Sequence, residues 1–294
     1  MKISKGAFHH TKSFWCFVAP ALILFTIFFI VPLGLSLYLS FTNYDGWKTL
    51  DFIGIKNYAK LFKDMDFYKS LLRTFIYTIL SLPFKVIIPL LIAALVTSDL
   101  LKGKTLARTL IYLPVLLSSL VVGITINWMF GQEYGLVNFL IQSFGGTGLK
   151  WAMDGRLATF VISFASNWAS TGFFMIIFIG GINNISGELY EAANVDGATK
   201  VDEFLKITVP MLSPTIFLVV LLSTINLLKE FALVQGITMG GPGSSTKFIV
   251  QYIFDKGFTQ YQYGYASAIG AIVMIIFIIV ALFQFKVSKS GGEI

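Results

Sequence analysis

Six long apolar runs leave this chain few ways to fold. They fall at 14–39, 72–97, 106–130, 157–183, 208–236 and 264–285. A helix rises about 1.5 Å per residue, so about 20 residues cross the hydrocarbon layer of a bilayer. Each run is long enough, and the pattern predicts an all-α integral membrane protein with six transmembrane helices. Composition points the same way, since 13% of the 294 residues are charged, against roughly 25% in a soluble globular domain. The first run follows a basic segment with Lys2, Lys5 and Lys12, as in a secretory signal. A signal's apolar core stops after about 7–15 residues, however. Phe14–Leu39 therefore reads as a retained span, kinked at most by Pro20 and Pro32.

The division that follows is a tail over 1–13, a six-helix domain over 14–286 and a second tail over 287–294. Within the polar, aromatic segment 40–71, Ile55, Tyr58, Leu61, Phe62 and Met65 recur at helical spacing opposite Lys56, Lys60 and Lys63. That pattern predicts an amphipathic helix lying on the membrane surface. Gly131–Gly155 and Met239–Gln262 read as glycine-rich connectors, too short for separate domains. The net charge of +7 is spread over loop ends, with no basic run interleaved with aromatics, so nothing points to nucleic acid. A single cysteine, Cys16, excludes an intrachain disulfide and any multi-cysteine metal site, and adjacent His9 and His10 read as a solvated tail.

One polar stretch between apolar runs, EAANVDGATKVDEFLKITVPMLSP from Glu191 to Pro214, is too regular for a plain loop. Tyr190–Asn194 reads as helix. Asp196-Gly197 is a bend signal, because glycine reaches backbone angles that a side chain forbids. A second helical pattern puts Val201, Phe204, Leu205 and Thr208 on one face until Pro210 and Pro214 limit it. The prediction is helix, glycine bend, helix, outside the membrane but held to it at both ends.

The residues of this stretch carry a family resemblance. Glu191-Ala192-Ala193, Asp196-Gly197-Ala198, then Phe204, Ile207 and Pro210 resemble the coupling motif of importer-type ABC transporter permeases, and of the carbohydrate-uptake subfamily in particular. SFTNYDG (40–46), FIGIKNYAKLF (52–62), ITMGGPGSSTKFIVQYIF (237–254) and the run from Tyr263 to Ala268 are similar to the same subfamily. The resemblance implies a type I importer permease fold with both termini cytoplasmic and a coupling loop over 186–208. It implies a second homologous permease subunit, two ATP-binding subunits that hold ATP and Mg, and an extracytoplasmic solute-binding protein. It also implies that the two short helices fit a groove on the ATPase, with Glu191 facing a basic residue there. The setting it implies is the cell membrane of a prokaryote, with a carbohydrate as substrate.

Charge bias gives an independent orientation. With the N-terminus inside, ten basic residues lie on the cytoplasmic side (Lys2, Lys5, Lys12, Lys102, Lys104, Arg108, Lys200, Lys206, Lys286, Lys289) and ten outside. Six of the outer ten lie in the long 40–73 segment, whereas the positive-inside rule counts short loops and span flanks. Without that segment the ratio is ten to four, which places Glu191–Lys206 in the cytoplasm.

No catalytic constellation is present: there is no His-Glu-x-x-His, no Gly-x-Ser-x-Gly and no Ser/His/Asp set. The run Ser98–Thr105 ends in Gly-Lys-Thr but lacks the opening glycine of a phosphate loop, and reads as a basic turn. The chain is therefore expected to be no enzyme, to bind no cofactor or metal, and to draw its energy from elsewhere. A charge inside the membrane costs about 2.5–3.5 kcal/mol on insertion scales. Lys85, Lys229 and Glu230 each need a reason for lying in apolar runs. Glu230 is expected to face the pathway or to pair with a cation on another helix, and either lysine would suit an anion or snorkel to headgroups.

Ser166, Ser170 and Phe173 share a face of the fourth run beside Asn167 and Trp168, and Ser223, Asn226 and Glu230 share a face of the fifth. Aromatic faces stack on sugar C–H surfaces while hydroxyls, amides and carboxylates bond ring hydroxyls. Pore-side positions of related sugar permeases resemble Ser166, Ala169, Ser170, Phe173, Ser223 and Leu227. The apolar Ala169 and Leu227 depart from relatives that hold a sugar within the membrane, which leaves a lined passage and a binding site both open, as does close helix packing by small residues. Gly240, Gly241 and Pro242 form a tight outer connection placed to touch a solute-binding protein. The competing functions are import of glycerol phosphate or a polyol, and an ion-coupled secondary carrier.

Overall fold

The computed structural model describes residues 7–47, 50–98 and 101–290. The tail lysines Lys2 and Lys5, the ends of the two predicted tails and part of the Ser98–Thr105 turn lie outside the described residues. In chain order, α1 (Ala7–Phe25) passes through a π-helical turn (Thr26–Ile30) into α2 (Val31–Leu39). Then come α3 (Lys56–Leu61), α4 (Met65–Thr97) and α5 (Lys104–Tyr112). A 3-10 turn (Leu113–Leu116) precedes α6 (Ser119–Met129), followed by α7 (Leu136–Ser143) and α8 (Gly155–Asn183). Next are α9 (Gly187–Val195), α10 (Lys200–Glu203), a π-helical turn (Phe204–Thr208) and α11 (Val209–Met211). The chain ends with α12 (Ser213–Leu228), α13 (Ala232–Ile237), α14 (Ile249–Phe254), a last π-helical turn (Asp255–Thr259) and α15 (Tyr263–Ser290).

Among the described residues, four helical stretches are long and apolar enough to cross a bilayer: Phe14–Leu39, Met65–Thr97, Gly155–Asn183 and Tyr263–Val287. The third and fifth apolar runs are not straight spans. Lys104–Leu116 meets Ser119–Met129 at 99°, and Lys200–Met211 meets Ser213–Leu228 at 69°. Each bend has a local cause. Pro114 lies in the 3-10 turn, after which Leu117 and Ser118 are extended. At the second bend Leu212 leaves helical angles, and Pro214, which cannot donate to a preceding carbonyl, opens α12.

Three expectations at the segment level need correction. Ahead of α4, the described part of the segment 40–71 holds a helix of six residues, which buries Asn57 and Leu61 while Ile55, Phe62 and Met65 stay exposed. Asn57 turns inward because its amide donates to the carbonyls of Ser40 (2.9 Å) and Thr42 (2.8 Å). The second span begins at Met65, not at 72. The two glycine-rich connectors also contain helices, α7 in the first and α14 in the second. Asn138 on α7 folds the first connector back on itself by donating to Gln132 and Leu149 and accepting from the Trp151 indole at 2.9 Å.

The chain divides into two compact units. One joins residues 1–64 to 253–275. In it Thr42 and Phe52 form an antiparallel bridge, and Phe41 packs on Phe52 and Tyr58. The backbone of Gly264 lies so close to Thr42 that a Cβ there would come within 2.2 Å of the Thr42 carbonyl oxygen.

The other unit comprises 65–252 and 276–294. Its centre is α4, packed between α8 and α12. One apolar cluster gathers around Tyr77, Ile126, Ile162, Val234 and Phe248, and a second around Ala93, Phe174, Phe178, Leu212 and Val219. Gly172 lets α8 touch the backbone of α5, where a Cβ would lie 2.5 Å from the Ile111 carbonyl oxygen. Gly172→Leu is expected to lower the thermal midpoint of the purified protein in detergent, since overpacking costs about 1–3 kcal/mol. Gly180→Leu, on the same helix with nothing within 4 Å of the added Cβ, is expected to leave the midpoint in place.

Candidate functional site

The polar stretch after α8 is built from backbone geometry first. α9 ends in a paired-bond cap: Ala198 N donates to Ala193 O (2.9 Å) and Gly197 N to Asn194 O (3.1 Å), with Gly197 at φ +78°. This is the double-bonded helix ending that needs a left-handed residue, and glycine takes that angle without a Cβ penalty. Two residues later Thr199 caps α10, exchanging bonds with Asp202 in a reciprocal box. Lys206 also bonds Asp202 at 2.6 Å. The Lys206 ammonium first, then the Thr199 bonds, hold the Asp202 carboxyl down to about 2. A carboxyl depressed in this way supports the fold above the ordinary aspartate range, and the support fades as pH falls toward 2.

Glu191, Ala192, Asp196 and Gly197 are exposed, Ala193 and Ala198 are half-buried, and Pro210 is exposed on α11. Phe204 is half-buried against the second apolar cluster. Among the described residues, Glu191 has no hydrogen bond or ion pair. The second helical pattern is shorter than its spacing suggests, with four residues of α-helix before the π turn. Even so, Val201, Phe204, Leu205 and Thr208 line one cavity of about 850 Å³, together with Leu91, Ala94, Leu95 and Thr97 of α4 and Ile182 and Asn183 of α8. Tyr190 and Thr208 bond across the bend at 2.9 Å, tying α9 to the π turn.

The intramembrane polar residues divide into three groups. Ser166, Lys85 and Glu230 come together in the interior. The Lys85 ammonium, 3% exposed, donates to the Ser166 hydroxyl at 2.6 Å and to its carbonyl at 3.2 Å. The Ser166 hydroxyl donates to Glu230 Oε2 at 3.2 Å, and Glu230 Oε1 accepts from Leu233 N at 3.3 Å. Lys85 therefore does not snorkel. A second group turns back on its own helix: Ser170 donates to Ser166 O at 2.7 Å and Asn167 to Ser163 O at 2.8 Å. Trp168, Phe173 and Asn226 form the exposed remainder.

Ser223 is buried, and its hydroxyl has no partner among the described residues. The expected shared face of Ser223, Asn226 and Glu230 is broken, because α12 stops at Leu228 and Glu230 lies in the turn before α13. Periodicity had extended the helix through that turn. The role of Lys85 escaped sequence reading because its partners lie on other helices.

The glycine loop over 238–246 is pinned rather than loose. Thr246 bonds Thr238 (2.7 Å) and the Gly241 carbonyl (2.6 Å), and Gly240 N donates to Thr238 Oγ1 (3.2 Å). Gly240 has φ +93°, and the Gly241–Pro242 peptide is cis. No group of three or more metal-ligating side chains occurs among the described residues.

Comparison with known proteins agrees with this architecture. Residues 58–290 match the family described as "Binding-protein-dependent transport system inner membrane component". A probable ABC transporter permease protein of Bacillus subtilis strain 168 is 34% identical over 95% of this chain and 97% of its own length. The arabinooligosaccharides transport system permease protein of the same organism is 30% identical, covering 94% of this chain and 88% of its own. The lactose transport system permease protein of Rhizobium radiobacter is 31% identical over 94% of each. A bacterial alginate ABC transporter, crystallised in complex with an alginate pentasaccharide-bound periplasmic protein, contains a chain of the same fold. Its TM-score is 0.86 at 23% identity, with 98% of each chain covered.

The capping box gives a local test. Thr199→Ala is expected to speed amide hydrogen exchange over Asp202–Lys206 several-fold, as caps of this kind contribute on the order of 1 kcal/mol. Exchange within α4 and α8 is expected to stay unchanged.

Proposed function

This chain belongs to the family of binding-protein-dependent transport system inner membrane components, and we propose that it is one of two permease subunits of an importer for a carbohydrate. Its partners in this reading are a second homologous permease, two ATP-binding subunits in the cytoplasm and a solute-binding protein outside. The observation that carries the reading is the stretch from Glu191 to Lys206. Two short helices are joined by a capped glycine bend, with an exposed acidic residue whose carboxylate has no partner among the described residues.

Closure of the ATPase pair on ATP would push on that stretch. The double-bonded cap at Gly197 and the Tyr190–Thr208 bond hold its two arms at a set angle. The push would pass through α10 and α11 to the 69° bend and so to α12. Glu191 would meet a basic residue of the ATPase. ATP and Mg would reside on those partners, and this chain would contribute no catalytic group.

Two features favour a saccharide over glycerol phosphate. The Lys85 ammonium donates to the Ser166 hydroxyl and carbonyl, so it is not offered to a phosphate. Two of the relatives above are named for saccharides. A secondary carrier would need an ion-responsive acid within the spans, whereas Glu230 is already occupied.

Co-purification with the products of neighbouring genes, followed by a screen for the saccharide that stimulates ATP hydrolysis, tests the assignment. Solute uptake by this chain alone in liposomes would overturn it. Gly197→Val forces a branched side chain into a left-handed angle at a cost of about 1–2 kcal/mol, enough to shift a coupling equilibrium roughly tenfold. The expected result is an assembled complex that still hydrolyses ATP while its uptake falls.

A further inference from the structure

α13 is a six-residue helix that makes a closer backbone contact than its size suggests. A Cβ on Gly236 would lie 2.9 Å from Gly123 Cα, and one on Gly123 would lie 3.0 Å from Gly236 Cα. The backbones of α13 and α6 therefore touch with no side chain between them. Such a seat accepts α13 in one position only, because a small rotation brings other side chains into the gap. A helix this short has too few internal bonds to hold its own direction, so its orientation has to be set at its start. Glu230 is the group found there, accepting from Leu233 N.

Behind Glu230 stands Ser166 of α8, and behind Ser166 stands Lys85 of α4, each linked by the bonds described above. Two helices, α4 and α8, thus converge through Glu230 on the first turn of α13. Lys85 and Ser166 are 3% and 2% exposed. Lys85 and Glu230 meet through the Ser166 hydroxyl rather than as a direct ion pair, yet removing one of them leaves the other in the interior without its opposite charge. Such a group is best suited to fixing an arrangement. At its other end α13 leads into the pinned glycine loop, since Thr238 bonds both Val234 O and Thr246. Where α13 sits therefore decides where that loop sits.

We propose that Lys85, Ser166 and Glu230 are positioning residues for transport: they hold α13 on the Gly123–Gly236 seat and so set the outer glycine loop. The inference rests on the importer reading, but its structural readout does not depend on transport. In a Cys16→Ser background, Leu233→Cys places a thiol at a site that is 3% exposed on α13. Labelling with a membrane-impermeant maleimide then reports whether α13 is seated, in the complete transporter in proteoliposomes.

With Lys85 and Glu230 intact the thiol is expected to be protected. Glu230→Gln and Lys85→Met, each alone, are expected to label at least about tenfold faster and to lower uptake per ATP hydrolysed, because each strands one buried charge. The pair Lys85→Met with Glu230→Gln strands none, and the glutamine carbonyl still accepts from Leu233 N. It is expected to regain protection and to exceed either single variant in uptake. If the single variants fail to assemble, the double variant decides, since its assembly with a protected thiol supports the proposal and its failure overturns it. The proposal is also overturned if the two single effects simply add in the double variant, or if the thiol stays protected while uptake falls. Failure of the unmodified complex to import any solute would instead count against the importer reading.

Discussion

Within a bilayer no water completes an interrupted backbone ladder, so each helix end at membrane depth has to find its donors and acceptors in the protein. The interruptions in this chain follow that constraint. Glu230 accepts from the first turn of α13. Lys104 and Arg108, one turn apart on α5, donate to the carbonyls of Thr97 and Val96 at the end of α4, where cations also complement the helix dipole. At the membrane edge, Gly197 closes α9 with two backbone bonds and Thr199 opens α10. The interruptions capped in this way include the helix–bend–helix stretch around Gly197 and the short helix α13 that leads into the glycine loop. A chain that has to change shape in lipid needs breaks in its helices, and each break requires dedicated polar groups.

Proline shows how the same constraint is met without a break. The ring of a helical proline clashes with the carbonyl four residues earlier and removes one bond. A π-helical turn ends just before Pro32 and another just before Pro210, so the widened turn relieves each clash; past Pro32 the helix continues to Leu39, whereas past Pro210 it ends at Met211. Pro83 and Pro89 lie inside α4 with no such turn. There α8 and α12 pack along the helix, and burial on two sides holds a direction that the local chain would not keep alone. Proline content is thus a poor guide to where this chain bends. Pro114 and Pro214 accompany large changes of direction because the residues beside them, Leu117, Ser118 and Leu212, leave helical angles as well.

Charge is used in two opposite ways. At the stretch around Gly197, Asp202 with Lys206 and Glu203 with Lys200 form local pairs beside the bend. In water such pairs contribute little energy, but they occupy the acidic groups around Glu191 and leave that carboxylate unengaged. In the interior, Lys85 and Glu230 do the reverse and join distant helices through Ser166. The low dielectric there makes an unmatched charge so costly that the three groups act as one unit. The sequence leaves Glu230 either facing the pathway or pairing with a cation on another helix, and Lys85 either suiting an anion or snorkelling, whereas the fold links the two through Ser166.

The sequence by itself determined the membrane location, the helical class, the helix–bend–helix stretch around Gly197 and the family, because each rests on local quantities: apolar run length, the angles glycine alone tolerates, and a motif with fixed spacing. Where a property depended on direction or on distant partners, the sequence was silent. Hydropathy sums apolar surface without registering a turn, so 106–130 and 208–236 read as straight spans although the chain swings by 99° and 69° within them. Glycine content masked α7 and α14, whose helices are held by packing and by Asn138 rather than by propensity. Only tertiary structure decided that Ser166 meets Lys85 and Glu230 while Trp168, Phe173 and Asn226 face outward. The face a side chain presents to other helices follows from how those helices cross, and crossing is a property of packed surfaces, which no local pattern encodes.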